Sequence, residues 1–543
     1  MFSTRFLTLF AASLLVAATS FAQQAQTPAT TSAPKPPDFP VPSGPQSDGL
    51  FRKVILDADQ QVDGEWKDTV KDPMELAVAA DGRVFWAQRD GTIKVWKPKS
   101  KKTSTVGRIK VFDGLEDGML GLALDPNFSQ NNWIYLNYSL PETTRDANGK
   151  KAGIIRVSRF TLVSDKLDPA SEKALLDIPT QREECCHVGG SLAFDKSGNL
   201  YVAIGDNTNP FDSDGFSPHD ERPGRSPWDA QKSSANMNDL RGGISRIHPE
   251  PGGTYSIPKG NLFPPGTPGT RPEVYVKGTR NGFRISVDQK TGTLYWGDVG
   301  PDAGGFDPRK GPGGFDAVMQ ARKPGFFGWP YSRGDNKPYA KLDFAARAQY
   351  AADKDAYNKA AKAAKEAGLP LPPDVKPPVS PLSAPPTYFD PAHPVNHSPN
   401  NTGVKELPPT QPAFIWYPSS SSTRFPVLNG GGGRTAMAGP VYYFDAGNKS
   451  KAKLPKRFDR TLFIYEWSRN WITAVHLDEK ENIAKNPDGS LRMERIGRSM
   501  TFKRPMDMEL GPDGCLYLIE FGTAWGNNKD TQIVRLEYIG PQG

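Results

Sequence analysis

One pattern recurs along this chain: an apolar strand, a turn, then a second apolar or aromatic strand. Residues 74–78 turn at Asp81-Gly82 into 84–86, and turn again at Asp90-Gly91 into 93–96. Residues 120–124 pass through Asp125-Pro126 and Asn131-Asn132 into 133–136. Residues 191–194 turn at Ser197-Gly198 into 200–203, 284–287 at Thr291-Gly292 into 294–296, and 506–510 at Asp513-Gly514 into 516–519. A less regular copy runs from Met437 through Val441-Tyr442-Tyr443 to 462–465. Such turns between alternating runs are hairpin signals. Five or six copies, with no helical period between most of them, predict radial repetition of small antiparallel sheets. The expected fold is all-β, a six-bladed β-propeller with large loops between some blades; a pair of β-sandwiches is the competing arrangement.

Composition agrees. The 53 Gly and 52 Pro suit many tight turns, and 10% aromatic residues argue against wholesale disorder. The formal net charge of +7 is spread along the chain without dense Lys/Arg runs, so no nucleic-acid partner is expected. Three cysteines, Cys185, Cys186 and Cys515, make neither a disulfide framework nor a zinc site. Cys515 lies in an apolar run and is expected to be a buried thiol. The adjacent pair can close on itself in an oxidising compartment or stay free.

The ends and one insertion stand apart. Arg5 is the only charge in residues 1–22, 6–18 are almost wholly apolar, and Ser20-Phe21-Ala22 offers the small-x-small cleavage pattern. That reads as a secretory signal, which implies an exported protein, periplasmic or secreted. No later stretch approaches the ~20 apolar residues of a membrane span. Residues 23–48, rich in Gln, Thr, Pro and Ser, read as a flexible leader, and 49–540 as the propeller domain. An insertion over about 340–410 opens with an Ala/Lys-rich helix ending at Gly368 and continues into the Pro-rich stretch 370–386.

Loops of one kind gather around a propeller's channel, so distant segments can build one site. Three are unusual. His187, one of six histidines, lies beside Gly189-Gly190 in a segment leading to Ile204-Gly205-Asp206; it is a base or a structural histidine. Gly278-Thr279-Arg280-Asn281 offers a rigid donor fork and an amide, or a surface turn with a salt bridge. Gly297-Asp298-Val299-Gly300-Pro301-Asp302, followed by Gly314-Phe315-Asp316, offers backbone carbonyls and carboxylates, the hard oxygens calcium prefers, without EF-hand spacing.

Taken together, Gly118–Phe128, Gly278–Asn281, Gly297–Pro301, Phe327–Pro330, Arg504–Asp507 and Pro512–Gly514 resemble the PQQ-dependent glucose/sorbosone dehydrogenases. The resemblance spans about residues 70–540. It implies a six-bladed propeller holding PQQ and Ca2+ on its channel face, which oxidises an aldose at C1 to a lactone and passes the electrons to an external acceptor. No Cys-x-x-Cys-His haem motif is present to take them within the chain. By the same resemblance His187 is the general base, Asp206 orients it, and Arg280 stabilises charge on the quinone. Asn281, Arg504 and Arg469 face the cofactor, Glu116 lies near the substrate, and Gly300, Pro301 and Asp316 ligate calcium. Trp416 is a candidate to stack on the cofactor, or a core aromatic. The chain departs from the family at the cofactor clamp: Ser468 or Arg469 falls where a lysine is usual, and Met506 where a second arginine is. A calcium-dependent lactonase using Asp206, Asp298, Asp302 and Asp316, and a non-catalytic propeller binding glycan or protein, are the alternatives.

Overall fold

The computed structural model describes residues 48–541 except 63–64, 68, 148, 381–384 and 525–527. The expected signal and all but the last residue of the expected leader lie outside the described residues.

Each sequence repeat forms the two inner strands of one blade. The six innermost strands are Pro73–Val78, Met119–Leu124, Gly189–Phe194, Gly282–Val287, Ala436–Tyr442 and Pro505–Leu510. Each heads an antiparallel sheet whose next strand follows a short connection or, in the fifth blade, a longer one: Val84–Gln88, Trp133–Ser139, Leu200–Ile204, Leu294–Asp298, Thr461–Glu466 and Leu516–Glu520. Neighbouring innermost strands pack side by side all the way round, the last against the first. The ring is closed by chain ends: Phe51–Ala58 adds the outer strand to the sixth blade, pairing Phe51 with Tyr538 and Val54 with Arg535. Closure leaves no free sheet edge at the seam.

Each innermost strand slips register once against its neighbour, in five blades close to where it enters the sheet. A bulge leaves backbone groups unpaired and bends the strand. On the inner edge of these strands, side chains of adjacent blades accept from backbone N–H groups. Asp507 Oδ2 accepts from Leu76 N at 2.7 Å and Glu75 Oε2 from Leu122 N at 2.7 Å, while Ser191 Oγ accepts from Ile285 N at 3.2 Å. Arg284, fully buried, donates to the Met506 and Met74 carbonyls and lies 3.7 Å from Asp507. The propeller axis is therefore a polar belt inside an apolar body. Burial pushes Glu75 up to about 8, with Arg284 opposing and Asp507 adding to the rise.

The insertion lies between the third and fourth strands of the fourth blade, Phe315–Ala321 and Ile415–Pro418. Its helix, Phe344–Glu366, is capped by Asp343, whose side chain accepts from Ala346 N at 2.8 Å, and is largely solvent-exposed. Just before it, Gly325–Phe326 runs parallel to Val274–Lys277 of the third blade, which carries the following residues toward the channel mouth. No helix among the described residues is long and apolar enough to cross a membrane.

Candidate active site at the channel mouth

In a four-stranded antiparallel blade, the entry to the first strand and the turn after the second lie at the same end. Six blades therefore bring twelve loops to one face. The cavity there, about 240 Å³, is lined by residues from both kinds of loop. Asp72, Leu115, Glu116, Asn281 and Thr435 precede or begin first strands, whereas Arg89, Val299, Trp467 and Phe521 follow second strands. Several of these loops hold non-glycine residues in the left-handed region: Asp72 (φ 39°), Leu115 (56°), His187 (62°), Asn207 (52°) and Arg504 (52°). Such conformations persist only where surrounding contacts enforce them, and they concentrate at functional sites.

Four of the expected residues come together on the side of the third and fourth blades. His187 Nδ1 and Asp206 Oδ1 are 2.7 Å apart, both buried. Asp206 Oδ1 also accepts from Thr208 N at 3.0 Å and Oδ2 from Trp329 Nε1 at 2.8 Å. A carboxylate held by those donors accepts a hydrogen bond from Nδ1–H of the imidazole, a tautomer that leaves Nε2 with its lone pair. The backbone is drawn in as well. Asp206 N donates to the Arg280 carbonyl at 2.8 Å, and His187 N to Glu116 Oε2 at 2.7 Å. Between these strands a side chain has no room: a Cβ on Gly205 would lie 2.3 Å from the His187 carbonyl oxygen and 2.9 Å from Asn281 Oδ1.

Asp298 fixes the next loop. Its Oδ1 accepts from Arg280 N at 3.1 Å and Asn281 N at 2.8 Å, and its Oδ2 from Arg333 Nη1 at 2.6 Å. Arg333 is buried; burial alone lowers its pKa, but the Asp298 carboxylate more than offsets this and holds it above the usual value. Arg280 Nη1 donates to the Val299 carbonyl at 3.1 Å. Among the described residues, Arg280 Nε and Asn281 Oδ1 are buried without a hydrogen-bond partner.

The remaining expected residues lie elsewhere. Arg504 stacks over the Trp467 ring at 4.3 Å and keeps a buried Nη1 without a partner among the described residues, and burial lowers its pKa against the pull of Asp530. Arg469 is committed to main chain: Nε donates to Gly433 at 3.0 Å, Nη1 to Leu428 at 3.0 Å and Nη2 to Pro418 at 2.8 Å. Ser468 Oγ pairs with Thr435 Oγ1 at 2.7 Å. Trp416 sits on the outer strand of the fourth blade, edge-on to Phe425 at 5.5 Å, away from the cavity. Gly300, Pro301 and Asp316 do meet, around Arg434. Its Nε is 3.2 Å from Asp316 Oδ1, Nη1 donates to Gly314 O at 3.0 Å, and Nη2 to Pro301 O at 2.7 Å. Cys185 and Cys186 are disulfide-bonded to each other, and Cys515 is a buried thiol.

Sequence reasoning cited Trp329 only within the Phe327–Pro330 motif, with no role, and missed Arg333, Arg434 and Trp467. Trp467 had a readable signal: it follows the second strand of its blade, as Asp206 and Val299 follow theirs. Trp329 and Arg333 lie in the segment between the fourth blade's third strand and the insertion, to which no repeat position corresponds.

The model of the "Glucose / Sorbosone dehydrogenase" family matches residues 70–362. The quinoprotein glucose dehydrogenase B of Acinetobacter calcoaceticus is 24% identical over 312 residues, 56% of this chain and 57% of that protein. The human Hedgehog-interacting protein is 25% identical over 281 residues, 47% of this chain and 37% of that one. The chain thus matches between about a third and two thirds of the length of these curated relatives. Among solved structures, the apo-form soluble aldose sugar dehydrogenase of Escherichia coli superposes with a TM-score of 0.52 at 17% identity, over 90% of this chain and 100% of that one.

Proposed function

The chain belongs to the glucose/sorbosone dehydrogenase family, and from that premise we propose that it oxidises an aldose or related sugar at C1 to a lactone, with PQQ bound at the channel mouth. The observation that carries the reading is the His187–Asp206 pair: a buried imidazole whose Nδ1 lies 2.7 Å from a buried carboxylate.

The residues present fit a planar, oxygen-rich acid. Arg280 Nε and Arg504 Nη1 are buried guanidinium nitrogens with no partner among the described residues, and Trp467, Met437, Met506 and Phe283 supply apolar walls. When bound, PQQ supplies the two-electron acceptor for the hydride leaving C1. The chain's own residues do the rest. His187 Nε2 takes the proton of the C1 hydroxyl, and Asp206 fixes the ring and stabilises the imidazolium. Arg280 directs positive charge toward oxygen that gains electron density, in a buried setting where such charge acts strongly. Asn281 positions, and Glu116, which holds the His187 main chain, lies beside the space for sugar. The electrons then leave to an external acceptor, and the apolar segment 6–18 directs the chain out of the cytoplasm.

Among the described residues, the four aspartates that a calcium-dependent lactonase reading would draw on do not come together. Asp206 faces His187 and Trp329, Asp298 faces Arg333, Asp316 faces Arg434, and Asp302 is exposed. The test is a titration of the purified protein with PQQ followed by absorbance, then addition of a panel of aldoses with a dye acceptor. Saturable binding, and bleaching by an aldose that His187→Ala abolishes, is the expected result. No binding at high micromolar PQQ sinks the reading and leaves a binding propeller in its place.

A further inference from the structure

Two of the three residues aligned with the family's calcium ligands, Pro301 and Asp316, already hold a cation. Arg434, one residue before the cavity-lining Thr435, reaches into the loop with a side chain only 4% exposed. Its three guanidinium nitrogens address three oxygens: the Asp316 carboxylate and the carbonyls of Gly314 and Pro301. Asp316, 1% exposed, has most of its acceptor capacity taken, since Oδ1 also accepts from Gly300 N at 3.1 Å and Oδ2 from Ala436 N at 2.9 Å. Calcium needs 6–8 oxygens at about 2.3–2.6 Å. One lone pair of the Pro301 carbonyl is taken by Arg434 Nη2 at 2.7 Å, so an ion on the other would sit beside a permanent positive charge, which repels it. As the side chains stand, the loop does not fit calcium.

We propose that Arg434 replaces the metal: the loop Val299–Pro301 is held by a cation that is part of the chain, and ligand binding at this mouth is independent of calcium. The guanidinium suits that task because it is planar, permanently charged and able to bond several oxygens at fixed angles. It supplies one positive charge in place of two, and it cannot be removed by a chelator. The part of this proposal that concerns ligand binding rests on the PQQ reading; the part that concerns the metal does not.

The experiment uses the full chain and begins without cofactor. Melting temperature is recorded in EDTA and in millimolar calcium chloride, and calcium retained after equilibrium dialysis is counted. The expected wild-type result is no shift in melting temperature and no retained calcium. Arg434→Ser vacates the Pro301 and Gly314 carbonyls and Asp316, and is expected to melt higher in calcium than in EDTA. A wild-type protein that melts higher in calcium, or retains one ion per chain, overturns the proposal whether or not the variant folds. A folded Arg434→Ser that gains no calcium response overturns the claim that Arg434 keeps the ion out. PQQ affinity in EDTA, compared with calcium, is expected to be unchanged, and binding that appears only with calcium refutes the proposal. Failure to bind PQQ under either condition sinks the cofactor reading instead, and the metal titration still decides this one.

Discussion

The two sides of the channel mouth are built on different principles. On the third and fourth blades, polar side chains hold one another: His187 on Asp206, Asp206 on Trp329, and the Arg280–Asn281 main chain on Asp298, itself on Arg333. On the fifth, sixth and first blades the wall is Met437, Trp467, Met506, Phe521 and Met74, with Arg504 laid on Trp467. On the proposed reading the first side is pre-organised for a reaction, because each group assigned to react is fixed by a second residue. The second offers surface and one cation. If the proposed function holds, chemistry and ligand grip are carried by separate halves, the first held by more side-chain hydrogen bonds than the second.

The separation is broken most directly at His187. His187→Ala is expected to lower turnover by about 10⁴-fold, the upper range for removing a positioned base, while PQQ affinity measured by absorbance changes little. Asp206→Asn is expected to cost about 10²-fold in kcat, again with binding preserved. Its amide presents an N–H to Nδ1, so the imidazole proton moves to Nε2, the atom that must be free. If either variant loses affinity as severely as turnover, the two halves are not separable. On the other side, Arg504→Ala is expected to raise the Kd for PQQ by about 10–100-fold, as one charge-assisted hydrogen bond of roughly 1.5–3 kcal/mol is removed. Met506→Arg sharpens the contrast by returning a cation to the apolar wall, and is expected to tighten binding about tenfold by the same charged interaction.

How much of this was legible in sequence follows from the same geometry. The six repeats marked the two inner strands of every blade, because a strand pair joined by a turn signal is a local feature. The His187 and Arg280–Asn281 loops were legible for a related reason: each site residue sits next to the strand that positions it. The outer strands were less so, since Ile415–Pro418 joins its sheet only after the whole insertion. Arg434 was not legible as the partner of Asp316. The two are far apart in sequence and meet only because the fourth blade's third strand lies beside the entry to the fifth blade. Nor could sequence tell Arg469, bound to four carbonyls, from Arg504, whose Nη1 has no partner among the described residues, since both lie in polar loops beside aromatic residues.

The smallest effect on binding, and the closest test of the comparison, concerns two tryptophans. Trp416 and Trp467 are both almost buried, at 9% exposure each, so burial does not separate them. Position does. Trp467 ends a second strand and faces the cavity under Arg504, whereas Trp416 lies in an outermost strand between Phe425 and Arg424, whose guanidinium is 4.6 Å from its ring. Trp467→Leu removes the flat wall and lets Arg504 swing, and an aromatic contact of about 0.5–1.5 kcal/mol corresponds to a roughly two- to tenfold weaker Kd. Trp416→Leu leaves the cavity as it is, and should leave the Kd unchanged while lowering the melting temperature through lost packing. Measuring Kd and melting temperature on both variants separates the roles. A Trp416 variant that binds PQQ as weakly as the Trp467 variant would move the cofactor toward the fourth blade's rim, and the division between a reacting half and a gripping half would no longer hold.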